Sequence, residues 1–246
     1  MIATRESTIA GIIGAIGQAD FEAIAAGLVG GLIGFDLAAV ILHRRSEVPI
    51  ALFDNFDRVG GRQGIENYVG VTHRINPILT GHPARGALRA RDYRIPSDRR
   101  VEGCIGHLVP APEEELGFRT IGWPERLEEV GLYFPACGGV MECGFYRERT
   151  ARPVSPRTLR LLGALEAPIT AAFDCHARLT PMHRHAVLSP REREVADLLL
   201  LGCSSEAVAL RLGISRHTVK DHRKAIFRKL GIGSLAELFA GQRSLH

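Results

Sequence analysis

The stretch from Leu188 to Gly241 constrains the fold most, because it is punctuated residue by residue as four short helices. Ser189-Pro190-Arg191-Glu192 is a capping box with proline at the first helical position, which starts a helix. Val195, Leu198 and Leu199 follow at helical spacing and supply one apolar face. Gly202 ends that helix, since glycine accepts the left-handed dihedrals found just past a helix. Ser204 can cap a second helix with Val208, Ala209 and Leu212 on its inner side. Gly213-Ile214 is a tight turn, Ser215 can cap a third helix reaching about Lys229, and Ser234-Leu235-Ala236-Glu237 opens a fourth. Two helices joined by a short glycine-containing turn match the helix-turn-helix pattern.

The third helix is two-faced. At about 100° per residue, Val219, His222, Ile226 and Leu230 fall on one side. Arg216, His217, Lys220, Asp221, Lys224 and Arg228 fall on the other, free to enter a major groove. All three lysines of the chain, Lys220, Lys224 and Lys229, sit on this helix. Charge agrees: residues 181–246 are net +5 and the rest net −1, so the positive excess lies where phosphates would be met.

LSPREREV, the Gly202 turn, AVALRLGIS, HTVK-x-H and RKLG together resemble the LuxR/NarL-type helix-turn-helix domain over about 55 residues. The resemblance implies double-stranded DNA as partner, with Lys220 and Lys224 facing the groove. The candidate DNA-contact set is Ser204, Arg216, His217, Thr218, Lys220, Asp221, Arg223 and Lys224. Asp221 departs from the family, which often has an apolar residue there. An acid at that place either accepts from a cytosine amine or repels some sequences. The resemblance also implies a homodimer with the fourth helix as a dimer surface, and RNA polymerase as a further partner. Leu235 and Leu238 or Phe239 are expected to be too many for one small bundle to bury.

The 246 residues leave room for one further domain, and the expected division is a sensor at 1–178, a linker at 179–187 and the DNA-binding domain at 188–246. Five cysteines, Cys104, Cys137, Cys143, Cys175 and Cys203, are odd in number and lack CxxC spacing, which argues against a disulfide framework or a zinc site. The apolar N-terminal run is divided by Asp20 and Glu22 and reads as two core helices, not a membrane span or leader. No membrane partner, metal or cofactor is expected, and the cytoplasm is the expected compartment.

Residues 20–150 read as mixed α/β. Leu37–Leu42 and Val48–Phe53 flank a polar connection, and Val130–Phe134 and Val140–Tyr146 flank Pro135–Gly139, giving two hairpins. Ser155-Pro156 starts one long helix through Leu159, Leu162, Leu165 and Ile169 to about Ala177. The expected fold class is therefore an α+β domain, an antiparallel sheet flanked by helices, followed by an all-α four-helix domain. The first part is similar in pattern to GAF/PAS-like sensors.

Three signals can be weighed for that domain. Autoinducer-binding domains, which share this arrangement, use a Trp and Tyr four residues apart and then Asp-Pro. Here Tyr68 is preceded by Gly64 and followed by Asn76-Pro77, and the only tryptophan is Trp123. A phosphorylated receiver needs a lysine, and residues 1–180 have none. Enzymatic chemistry lacks its motifs: Cys104 and His107 form a bare Cys-x-x-His, and no G-x-S-x-G or HExxH occurs. The segment Leu116 to Pro124 is the best candidate pocket wall, with Tyr68, Arg119, Trp123 and Tyr133 as candidate ligand contacts around an apolar molecule bearing an acid. The chain thus reads as a one-component transcription regulator, not an enzyme, with a sensing first domain. The alternative is a first domain that only dimerises or binds protein. An enclosed cavity would favour sensing, and a filled core the alternative.

Overall fold

The computed structural model describes residues 4–45, 47–80, 85–94, 106–150, 153–180, 188–230 and 232–240. Cys104 and most of the expected linker, 181–187, lie outside the described residues. The chain divides into two compact units, 1–15 with 20–172, and 16–19 with 173–246.

The first unit opens with α1 (Arg5–Gly14) and α2 (Phe21–Ile33). Thr4 and Ser7 cap α1 reciprocally, and Gly34 ends α2 at φ 78°, a left-handed position that suits glycine. The sheet follows: β1 (Leu37–His43), β2 (Ile50–Asp54), β3 (Gly86–Arg89), β6 (Leu127–Ala136) and β7 (Gly139–Glu148), in the order β2-β1-β7-β6-β3. Each neighbouring pair is antiparallel. A separate ribbon pairs β4 (Leu108–Pro110) with β5 (Phe118–Thr120). Both expected hairpins are present, as β1–β2 and β6–β7.

β1 is buried on both faces, which explains its unbroken apolar run. Helix α2 and α5 (Pro156–Gly163) contact the sheet. Leu37, Ala39, Ile41 and Tyr146 pack with Phe56 and Ile65 from the layer formed by α3 (Arg62–Gly70) and the 3-10 turn before it. α4 (Pro77–Thr80) adds Ile78, which packs against Tyr133. The expected single helix at 155–177 is instead two, α5 and α6 (Glu166–Leu179), with a turn at Ala164-Leu165. Pro168 accounts for the break. Its ring would clash with the carbonyl of Ala164 in a continuous helix, but it is tolerated in a first turn.

The second unit carries α7 (Pro190–Leu200), α8 (Ser205–Leu212), α9 (Arg216–Leu230) and α10 (Leu235–Ala240). Each start uses the expected cap. Ser189 Oγ accepts from the Glu192 amide at 3.3 Å while Glu192 accepts from the Ser189 amide at 2.7 Å. The hydroxyls of Ser204, Ser215 and Ser234 accept from the amides of Ala207, Thr218 and Glu237. Gly202 and Gly213 take the left-handed turns at φ 81° and 63°. Val195, Leu199, Val208, Val219, Ile226 and Leu230 form the buried core. In the fourth helix Leu238 is also buried. Leu235 stays partly exposed.

Candidate functional site

Helix α9 sorts its side chains by angle. Val219, Ile226 and Leu230 point into the bundle, with exposures of 2% or less. Arg216, His217, Lys220, Asp221, Lys224 and Arg228 are exposed together on the opposite side. The third lysine has another role: Lys229 Nζ meets Glu192 Oε2 at 2.6 Å and ties α9 to the first turn of α7. Burial favours protonation of Glu192, yet the hydrogen bonds from Lys229 and the Ser189 amide outweigh it and hold the carboxyl below the usual range.

The remaining candidates on this unit divide in two. Ser204 and Arg216 are exposed at one end of the helix pair, Arg216 in contact with Glu206. Asp221 lies 3.6 Å from His217, one turn away on the exposed face. Thr218 Oγ1 is engaged with Ser215 at 2.8 Å. Arg223 is half-buried, donating to Ser205 at 3.1 Å with its guanidinium 5.7 Å from the Phe227 ring. Its charge is therefore partly committed inside the unit.

The first unit holds a cleft between α3, the segment Glu114–Pro124 and the outer half of β6–β7. Its space free of protein atoms is about 670 Å3, counting a mouth open to solvent. It is neither a sealed cavity nor a filled core. Tyr68, Arg119 and Trp123 line it, together with Thr72, Asn76, Phe118, Glu129, Glu142 and Tyr146. Tyr133 lies behind this lining, fully buried, and reaches it only through Glu142.

Trp123 is placed by backbone contact. A Cβ on Gly64 of α3 would come within 2.8 Å of the Gly122 carbonyl and the Trp123 Cα, so only glycine admits this approach. The indole then sits 6.0 Å from the Tyr68 ring, 5.4 Å from Tyr146 and 4.7 Å from Phe56, centroid to centroid. Arg119 is held at the rim, donating to the Trp123 carbonyl at 3.1 Å and paired with Glu125 at 2.8 Å.

The floor comes from the register of β6 and β7. Glu129 faces Tyr146, Gly131 faces Gly144 and Tyr133 faces Glu142. Each strand therefore carries Glu-x-Gly-x-Tyr, as Glu129-Val130-Gly131-Leu132-Tyr133 and Glu142-Cys143-Gly144-Phe145-Tyr146, and the two copies run antiparallel to each other. The glycines make room for the rings: a Cβ on Gly131 or Gly144 would lie 2.4 Å from Tyr133 or Tyr146 respectively.

The two carboxyls differ in their partners. Glu142 accepts from Tyr68 at 2.7 Å and Tyr133 at 3.0 Å and meets His43 Nε2 at 2.6 Å. Tyr68 in turn accepts from Asn76 Nδ2 at 2.8 Å, and burial followed by the charge of Glu142 keeps its phenol protonated. Among the described residues Glu129 receives one long bond, from Tyr146 at 3.4 Å. Burial, then the charges of Glu142 and Glu115, push its pKa up to about 8, although solvent still reaches part of the residue through the cleft.

Glu129, Glu142 and Tyr146 are cleft residues that the sequence reading did not single out. A signal existed: an acid inside a strand that is otherwise apolar on both faces must have a buried partner or a purpose. The duplicated Glu-x-Gly-x-Tyr was the second.

The model of the family described as "Bacterial regulatory proteins, luxR family" matches residues 186–240. A putative HTH-type transcriptional regulator of Aeromonas salmonicida is 58% identical over 52 residues, 21% of this chain and 26% of that protein. The tetrathionate response regulatory protein TtrR of Salmonella typhimurium is 36% identical over 87 residues, 35% of this chain and 41% of its own length. The chain thus spans about a quarter of the first relative and about two fifths of the second. Among solved structures, the VqsR LBD domain of Pseudomonas aeruginosa is 13% identical with a TM-score of 0.49, over 71% of this chain and 96% of that one.

Proposed function

We propose, from the premise that residues 186–240 are a luxR-family domain, that this chain is a transcription regulator that binds double-stranded DNA through α9. The observation that carries the reading is the exposed face of that helix, where Lys220 and Lys224 stand clear of the bundle while Val219 and Ile226 hold it in place. A helix of this kind fits a major groove, its lysines meet phosphates, and base edges fall to Arg216, His217 and Asp221. The protein acts as a homodimer on a two-fold symmetric site, in the cytoplasm, where RNA polymerase is a second partner. Among the described residues, no helix is long and apolar enough to cross a membrane.

The first unit is the sensor in this reading. Aromatic walls around unfilled space and a carboxyl short of partners support ligand binding over a purely dimerising module. The DNA half is tested by fluorescence anisotropy on duplexes selected from a randomised pool. Lys220→Ala and Lys224→Ala should each weaken binding and each lower the slope of log affinity against log salt by about one. Unchanged affinity and slope in both variants would remove α9 from the DNA interface.

A further inference from the structure

Two carboxyls occupy equivalent places on the cleft floor, yet only one is satisfied. The pairing of β6 and β7 relates Glu129 to Glu142 and Tyr146 to Tyr133. Glu142 has gathered Tyr68, Tyr133 and His43 around it. Glu129 has its own tyrosine at 3.4 Å and no other side-chain donor among the described residues. Around it the cleft offers aromatic faces, from Tyr68, Trp123 and Tyr146. The cations close by are already engaged. Arg119 is turned to Glu125 and the Trp123 carbonyl, and Arg91 reaches Glu115 at 3.4 Å. The other charged groups on the cleft, Glu114, Glu115 and Glu142, are acids.

The arginines nearest this site are thus already paired with acids. A carboxylate ligand, the partner first suggested by Arg119, would meet acids at the floor. An ammonium group meets a counter-ion at Glu129 and ring faces that attract cations. We infer that the cleft takes a small molecule with an apolar body and a protonated amine, whose nitrogen seats on Glu129 between Trp123 and Tyr146.

The inference rests on the sensor reading and names its ligand class. Trp123 is the only tryptophan in the chain, so its fluorescence reports on the cleft wall alone. The full-length protein is titrated with hexylamine, hexanol and hexanoate, which share a body and differ in charge. Hexylamine should change Trp123 emission saturably and bind at least tenfold tighter than hexanol, with hexanoate weakest. Glu129→Gln should bring hexylamine to the level of hexanol, whereas Glu125→Gln, at the rim, should leave it unchanged.

A second readout needs no variant. Because Glu129 carries a proton below about pH 8, it must release it to hold an ammonium, so hexylamine affinity should rise from pH 6.5 towards 8 by up to about tenfold per unit. Glu142, Glu115, Tyr68 and Tyr146 face the same space. Removal of that pH dependence by Glu129→Gln assigns it to Glu129 and not to them. Saturable binding of hexanol or hexanoate, with no preference for the amine, overturns the ammonium inference and leaves the sensor reading standing. Silence from all three compounds overturns both.

Discussion

Single residues decide the cleft. Gly64 lies on α3, four residues before Tyr68. The missing side chain lets the backbone of Gly122 and Trp123 close against α3, so the indole arrives beside Tyr68 from a remote segment. Gly64→Ala should force that backbone away, because the obstruction is main chain and cannot rotate aside. We expect a loss of about 1–3 kcal/mol by denaturant unfolding, and a shift in Trp123 emission of the folded variant. An unchanged unfolding midpoint and spectrum would mean the approach is looser than 2.8 Å. Tyr68 and Trp123 were recognisable as candidates because large aromatics beside loops advertise themselves. Glu129 and Glu142 were not, because a glutamate in a strand looks solvent-facing until its register partner is known.

At the level of elements, the helices of the second unit were legible nearly to the residue. Their limits are set by local chemistry, serine caps and left-handed glycines, that a sequence displays directly. Hairpins β1–β2 and β6–β7 were legible from apolar runs around turns. β3, β4 and β5, of four, three and three residues, carry too few side chains for any period to register. The long helix was misjudged because the apolar stripe runs across Ala164-Leu165, whereas Pro168 decides the backbone.

Within α9 the three lysines do different work. Lys229→Ala should cost about 1 kcal/mol of the second unit's stability, since a part-exposed bond to a buried acid is modest. The salt slope of DNA binding should not change, which separates it from Lys220 and Lys224. A drop in slope equal to theirs would place Lys229 on the DNA. The same pair gives a pH effect with a definite sign. Glu192 has a lowered pKa in the folded state, so its contribution is complete above the unfolded value of 4.5 and fades as pH falls below it. The stability gap between wild type and Glu192→Gln should therefore be full above about pH 4.5 and close as pH falls further. A gap that stays constant across that range would show that the pairing does not persist in solution.

The whole molecule is two compact units built on different principles. One is a sheet assembled from contacts distant in sequence, the other a bundle of local helices. The match to the luxR-family model lies in the C-terminal part of the chain, which is also where local sequence signals were strongest. On α10, Leu238 is buried while Leu235 keeps part of its surface exposed. Full-length protein in light scattering should give a mass near twice 26.8 kDa, and the 181–246 segment alone should be monomeric without DNA. A full-length monomer, free and on DNA, would end the symmetric-operator model.

The confinement of lysine to one helix has a chemical consequence. An acylating reagent that attacks primary amines finds, besides the chain's amino terminus, only Lys220, Lys224 and Lys229. Peptide mass mapping then becomes a footprint of α9 without labels or mutations. In free protein Lys220 and Lys224 should acylate readily, and Lys229, held by Glu192, more slowly. Bound duplex should mask the first two and leave the third at its own rate, so three reactivities would trace the outline of the DNA on the protein.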